Sequence, residues 1–446
     1  MHGYTGAVDI VDIEVLQYLL KSERESNKES SLDIETTEIL KKRGYLTDKT
    51  PEEEKEYVYK FGALLHKHHL QSKKWRTDIL IIPTYKCQLR CPYCYEAPLY
   101  KKGSKWRDKT IEKETVDAAF EAVKKIQDEK EKIGRLTIYG GEPLMKETVE
   151  IINYIVEQGY SQEYSFDCIT NGVDLDYFID LLGPKKIRFL QITLDGPPQI
   201  HDRVRRYADG KGTFHKIADN INKALETGVI ISARTNVTPD NIDSLSELVE
   251  IYKNYGWLDK KNFRAYSRLT YKGFCSFRST GISRLDMVEW FERKDQPLLK
   301  FIRSDFGMRQ KILGLLEEDK YPLFTTNFCG STMGMYILDP YGDIYVCWET
   351  VGTEKGKVGR FKPEFSINQK AVSKWHNRVV VNIPECLKCE YIFLCGGGCP
   401  QHAYHAHGGL MKPSCEEFKE LFQRFLPKIY GEWKKEKSRK IIDQNK

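Results

Sequence analysis

At 446 residues, 40% of them hydrophobic, the chain is long enough to bury a full core as one large domain with one or two smaller ones, which excludes a disordered polymer. Its 70 Lys+Arg against 64 Asp+Glu leave a net charge of +6, too dilute over this length to argue for nucleic acid as a partner. No run approaches the ~20 apolar residues that span a bilayer, and the start MHGYTGAVDIVD lacks the charged-then-apolar order of a secretion signal. The expected location is therefore the cytoplasm, with no membrane contact.

Residues 1–75 are polar and helix-rich, and Pro51 followed by three Glu makes a good first helical turn. The HKHH run (His66, His68, His69) on that helix reads as a solvated face rather than a metal site. From Asp78 short β-branched runs alternate with amphipathic helices: DILIIPTY, RLTIYGG, YSFDCITNG, KKIRFLQITLDG, VIISARTNV and NFRAYSR, with helical segments such as TVDAAFEAVKKIQDEKEK between them. Such alternation predicts βαβ units on a parallel sheet. About six strand and helix pairs suit an α/β fold, a partial (β/α)6 barrel over 78–310 whose chemistry sits at the carboxyl ends of the strands.

The segment 324–430 is loop-rich, carries seven cysteines, and has periodicity too poor for an ordinary apolar core, so metal is expected to supply part of its folding energy. His402, His405 and His407 beside Cys399 read as outer or surface residues. The chain ends in an amphipathic helix and a basic tail whose charge reads as solvated.

Twelve cysteines in a reducing compartment read as metal ligands rather than disulfides, because ten of them fall in two tight groups, leaving Cys168 and Cys275 over. Cys168, in a strand, reads as a small buried hydrophobe. In PTYKCQLRCPYCYE, Cys87, Cys91 and Cys94 follow the apolar run ILII as CxxxCxxC, so a loop atop the first strand can wrap three thiolates around a cluster. A 4Fe-4S cluster usually takes four cysteines, and three leave one iron open. The competing readings are a zinc knuckle and a cluster completed by a remote cysteine.

This spacing resembles the radical SAM superfamily, whose open iron chelates S-adenosylmethionine (SAM). The resemblance extends strand by strand: YGGEP with Gly140, Gly141 and Glu142, TNG with Thr170 and Asn171, QITLDGP with HDRVRR, and RTNV. It implies that the two glycines let backbone approach the methionine amino group, that Glu142 accepts from it, and that Thr193, Asp195 and Arg205 serve the methionine carboxylate and ribose. Asn236 and Tyr93 are further candidate contacts. It also implies a low-potential electron donor, such as a flavodoxin or ferredoxin, and a 5'-deoxyadenosyl radical that abstracts hydrogen inside a water-excluding barrel.

In the second group, Cys329, Gly342 and Cys347 give a C…GxxxxC pattern, and Cys386, Cys389, Cys395, Cys399 and Cys415 give CxxCx5CxxxC with a distant cysteine. This is similar to the SPASM extension, which holds two auxiliary clusters and brings the total to three 4Fe-4S clusters. Carried over, the family's interleaving gives Cys386, Cys389, Cys395 and Cys415 to one cluster, and Cys329, Cys347 and Cys399 to the other. Cys275, a non-cysteine group or a substrate thiol would close the latter. Paired zinc ribbons are the alternative.

SPASM proteins modify peptides or proteins, so the substrate is expected to be a ribosomally made peptide that gains a thioether or a carbon–carbon crosslink. Residues 1–75 are loosely similar to the leader-binding modules of such maturases. Formylglycine formation on a sulfatase is one alternative. The enzymes that perform it place Asp after the GxxxxC cysteine, whereas Trp348 and Glu349 follow Cys347 here. A non-catalytic electron-transfer scaffold is the other, and the intact GGEP and DGP turns speak against it.

Overall fold

The computed structural model describes residues 3–22, 32–72, 78–127, 134–270, 281–317 and 323–444. Cys275 lies outside them.

The six expected strands are present: β1 (Ile79–Ile81), β2 (Arg135–Ile138), β3 (Ser165–Thr170), β4 (Ile187–Thr193), β5 (Ile230–Val237) and β6 (Phe263–Leu269), each parallel to the next. Side chains alternate across a strand. In β5, Ile231, Ala233 and Val237 enter the main apolar core, packed with helices such as Phe214–Leu225 and Leu245–Asn254. Ser232, Arg234 and Asn236 therefore face the opposite, inner side. One connection departs from the pattern: after β3 the chain makes only a 3₁₀ stretch, Leu175–Leu181, because Gly183 and Pro184 end it within two turns.

The sheet is open, and it is larger than six strands. β7 (Tyr336–Leu338) pairs parallel to β1, and β8 (Asp343–Tyr345), β9 (Lys357–Arg360) and β10 (Ser366–Ile367) continue antiparallel, giving the order β10-β9-β8-β7-β1-β2-β3-β4-β5-β6. The cysteine-rich segment thus contradicts the expectation of a weak apolar core. Leu338, Ile344, Val346, Val358 and Phe361 join the main core, while Ile337 and Tyr345 pack with Leu80 and Ile82 on the inner side. Strands of two to four residues are too short for alternation to be seen in sequence.

Helix Pro51–Gln71 starts as expected, with a Thr50–Glu53 capping box and Pro51 in its first turn. It lies against the cysteine-rich segment, where Val58 and Phe61 pack with Val379, Val380, Val381 and Phe393. This turns two of the three histidines inward, against the expectation of a solvated face: His66 and the buried His69 both meet the Thr326 hydroxyl, at 3.0 and 3.4 Å. The final helix, Phe418–Gln444, buries Leu421, Phe422, Phe425 and Ile429 against Met308, Ile312 and Leu316.

Candidate active site

The loop after β1 carries Cys87, Cys91 and Cys94, and the turn after β2 supports it from below. Tyr139 N–H donates to Ile81 O, Gly141 N–H to Thr84 O, and Glu142 N–H to Lys86 O at 2.7 Å. Contact is so close that a Cβ on Gly141 would stand 2.3 Å from Lys86 O and 2.4 Å from Tyr85 O, and Gly140 holds a φ of +140°. In this structure the free side of Gly141 faces the cysteine loop's own backbone, and that of Gly140 faces the Ile82 side chain and Thr84 O. Glu142 is likewise engaged by protein. One carboxylate oxygen accepts from the Thr170 hydroxyl at 2.5 Å and Leu144 N–H at 2.9 Å, and the other from Asn171 N–H at 2.6 Å. Burial raises its pKa to about 7 against these three donors. Glu142 thereby ties the ends of β2 and β3 together beneath the cysteines. Asn171 then reaches Gln88 Oε1 and Cys87 Sγ.

A second cluster of polar groups stands over β4 and β5. The Tyr93 hydroxyl, from the cysteine loop, donates to one Asp195 oxygen and receives Arg205 Nη1 at 2.9 Å and Asn236 Nδ2 at 3.4 Å. The other Asp195 oxygen accepts Asn236 N–H at 2.9 Å. Arg205 is buried, and its Nε–H has no hydrogen-bond partner among the described residues, an orphaned donor of the kind a ligand carboxylate satisfies. Thr193 lies at the top of β4 in register with Arg234.

Three residues hold this arrangement that the sequence did not single out. His201 Nδ1 accepts Asp195 N–H, which leaves the proton on Nε2 to donate to Thr213 Oγ1, itself a donor to Arg205 O. Asp202 caps Thr213 N–H and Phe214 N–H at the start of helix Phe214–Leu225. Asn241 donates to both Asp195 O and Asn236 O. His-Asp in HDRVRR was the available signal, and its role is architectural.

The thiols fall into three sets. Burial is the main reason the Cys87 and Cys94 thiols are pushed up, the latter to about 12, and Cys91 adds to both. Cys347 is raised by burial and then by Cys329 and Cys399. Cys386 is raised to about 12 by burial and then by Cys395, Cys389 and Cys415. Buried neighbours that oppose one another's ionisation need added positive charge to become thiolates, as a bound metal or cluster would supply. Among the described residues no three such side chains close to single-ion distance; a four-iron cube is larger, and its thiolates stand farther apart. Cys168 is fully buried in β3 among apolar side chains, as expected. His402 is buried, with Nδ1 against the Glu416 carboxylate, while His405 and His407 are exposed.

Comparison with known proteins agrees with this geometry. Residues 81–251 match the model of the radical SAM superfamily. The mycofactocin maturase MftC of Mycolicibacterium smegmatis is 24% identical over 71% of this chain and 76% of that protein. A serine-type anaerobic sulfatase-maturating enzyme of Bacteroides thetaiotaomicron is 25% identical over 76% of this chain and 87% of that protein. The structure of anSMEcpe with bound AdoMet and the Cp18Cys peptide superposes with a TM-score of 0.58 at 18% identity, covering 80% of this chain and 98% of that one, a likeness of fold. A CxxxCxxC loop crowning the parallel strands, the turns that support it and the match across 81–251 lead to one conclusion: the chain is an enzyme built on a radical SAM domain, of a superfamily whose members use SAM and a 4Fe-4S cluster.

Proposed function

We propose that this enzyme is a maturase that uses SAM to install a crosslink, a thioether or a carbon–carbon bond, on a ribosomally made peptide. The observation that carries the reading is the pairing of the Cys87/Cys91/Cys94 loop with a buried, incompletely satisfied arginine, Arg205, across the Tyr93–Asp195 bond. Cys87, Cys91 and Cys94 would hold a 4Fe-4S cluster and Arg205 the SAM carboxylate. Asp195, Asn236 and Thr193 would meet the rest of the nucleoside, and Asn171 and Glu142 would fix the loop from beneath. When bound, cluster and SAM supply a carbon radical that abstracts hydrogen, on receipt of an electron from a donor such as flavodoxin or ferredoxin. The chain's contribution is to orient SAM and to keep water from it.

Cys386, Cys389, Cys395 and Cys415 would hold one auxiliary cluster, and Cys329, Cys347 and Cys399 a second whose remaining ligand is open to a substrate thiol. This divides the chain into an N-terminal module (1–75), the SAM barrel (78–310) and an auxiliary-cluster domain (324–430). The first would engage a leader peptide. MftC's name as a maturase supports the maturase reading. A second reading, modification of a sulfatase, draws on the Bacteroides relative's name; Trp348 and Glu349 after Cys347 count against it.

The test is anaerobic reconstitution with iron and sulfide, followed by dithionite and SAM. Wild type should develop a 4Fe-4S spectrum and release 5'-deoxyadenosine, and Cys91→Ala should release none. Turnover in Cys91→Ala equal to wild type would overturn the reading. A sulfatase peptide converted to formylglycine would install the second reading in place of the first.

A further inference from the structure

We infer that Arg234 and Arg268, on the inner face of β5 and β6, form a receptor for a substrate carboxylate, so that the peptide presents an acidic side chain or its own C-terminal carboxylate at the mouth of the barrel. This rests on the peptide reading above and specifies its substrate class.

Register places the two arginines together. Arg234 pairs with Tyr266, and Asn236 with Arg268, so Arg234, Asn236, Tyr266 and Arg268 share the inner face at the carboxyl ends of adjacent parallel strands. Arg234 Nε donates to Asn236 Oδ1 at 2.9 Å, beside the Tyr93–Asp195 group. The Arg268 guanidinium stands 5.9 Å from the Tyr266 and Phe306 rings and donates to Ser304 Oγ at 3.2 Å. Tyr266 is held by its hydroxyl on Gln191 at 2.6 Å. Arg234 is half-buried and Arg268 exposed, so a ligand arriving from solvent can reach both.

What sets these two apart is charge balance. A third arginine over the same Phe306 ring, Arg284, is paired with Glu416. Arg234 and Arg268 form no ion pair with a carboxylate among the described residues. The acids whose charge reaches them are already engaged: Asp195, beside Arg234, takes the Tyr93 hydroxyl and Asn236 N–H, and Asp305, beside Arg268, takes Gly307 N–H and Arg309 N–H at the start of helix Met308–Leu316. Burial is the main cause lowering the Arg268 pKa, and the charges of Arg234 and Arg284 add to it. Two neighbouring cations on a partly desolvated face are costly alone and become favourable once an anion bridges them. A planar carboxylate fits two guanidinium forks bidentately.

The experiment is calorimetric titration of the reconstituted, SAM-loaded holoenzyme with three capped amino acids, without reductant and so without turnover. N-acetylglutamate amide offers a side-chain carboxylate, N-acetylglutamine a terminal one, and N-acetylglutamine amide none. One or both acids should bind, identifying the source of the carboxylate, and the neutral probe should be about tenfold weaker or undetectable. Arg234→Gln and Arg268→Gln, at cluster absorbance matched to wild type, should each weaken the preferred acid about tenfold while SAM still binds. Equal binding of all three probes, or of the acid to wild type and both variants, overturns the proposal. So does competition between acid and SAM, which would assign the arginines to the cofactor. Failure of SAM cleavage strikes the maturase reading alone, because probe binding is read without turnover.

Discussion

Asp339 shows how one buried carboxyl links the two halves of the sheet. It sits in the β7–β8 turn, where one oxygen accepts Tyr341 N–H and Asp343 N–H and the other accepts the hydroxyl of Tyr85, which follows β1. Burial raises its pKa from 3.8 to about 6. A carboxyl with a raised folded pKa binds more protons in the native state than in the unfolded one, so its contribution to stability is full below pH 4 and is lost as pH rises to about 6 and beyond. The loss amounts to about 3 kcal/mol for a shift of this size. Asp339→Asn should remove that slope: urea unfolding between pH 4 and 7 should show the wild type losing more stability than the variant as pH rises. Parallel curves would assign the pH dependence to other groups. Glu142 is the residue whose place in sequence told least about its partners. GGEP announces a turn with a carboxylate, but the donors that occupy it, Thr170 and Asn171, come from the next strand, and only strand pairing brings them there.

Among elements, the β2 turn and the cysteine loop behave as one unit because glycine lets their backbones touch. Gly141→Ala would set a methyl group 2.3–2.5 Å from the Tyr85 and Lys86 backbone, where no flexible side chain can yield. The loop must then move away from the turn. The expected result is a chain that keeps its far-UV dichroism but holds markedly less iron, measured as iron per chain in a variant stripped of the seven C-terminal cysteines, so that only the first site is counted. Full iron loading would show that loop position and cluster binding are independent. Elements of this half of the chain were legible because most of the six parallel strands carry β-branched residues and are followed by an amphipathic helix, the 3₁₀ stretch after β3 being the exception. The other half was not. β7 to β10 are two to four residues each, and their place beside β1 depends on contacts made 254 residues away in sequence, such as Tyr85 to Asp339.

At the scale of the whole molecule, Arg378 fastens the cysteine-rich segment. It is fully buried, and its guanidinium donates to four carbonyls: Leu410 O at 2.6 Å, Gly398 O and Gly397 O at 2.8 Å, and Lys412 O at 2.9 Å. Its own carbonyl accepts from Asn327 Nδ2. One residue thus connects the approaches to Cys329, through its backbone, and to Cys395, Cys399 and Cys415, through its side chain, and its charge lies near enough to Cys399 and Cys329 for their thiolates to act on it. Arg378→Met keeps much of the volume and deletes every donor, leaving four carbonyls without this partner in a dry interior, at about 1–3 kcal/mol for each one not resolvated. Arg378→Lys restores the charge but supplies a point in place of a fork, so it can serve only some of them. The N-terminal loop, held by the Gly141 turn and Glu142, shares none of these bonds. Reconstituted Arg378→Met should therefore lose iron from the C-terminal sets while the Cys87/Cys91/Cys94 site still binds SAM, seen as a SAM-induced change in the reduced cluster's EPR signal. Arg378→Lys should fall between. Uniform loss of iron from all three sets would mean that the cysteine groups fold as one cooperative block, and undiminished iron in the methionine variant would mean that ligation alone holds the segment together.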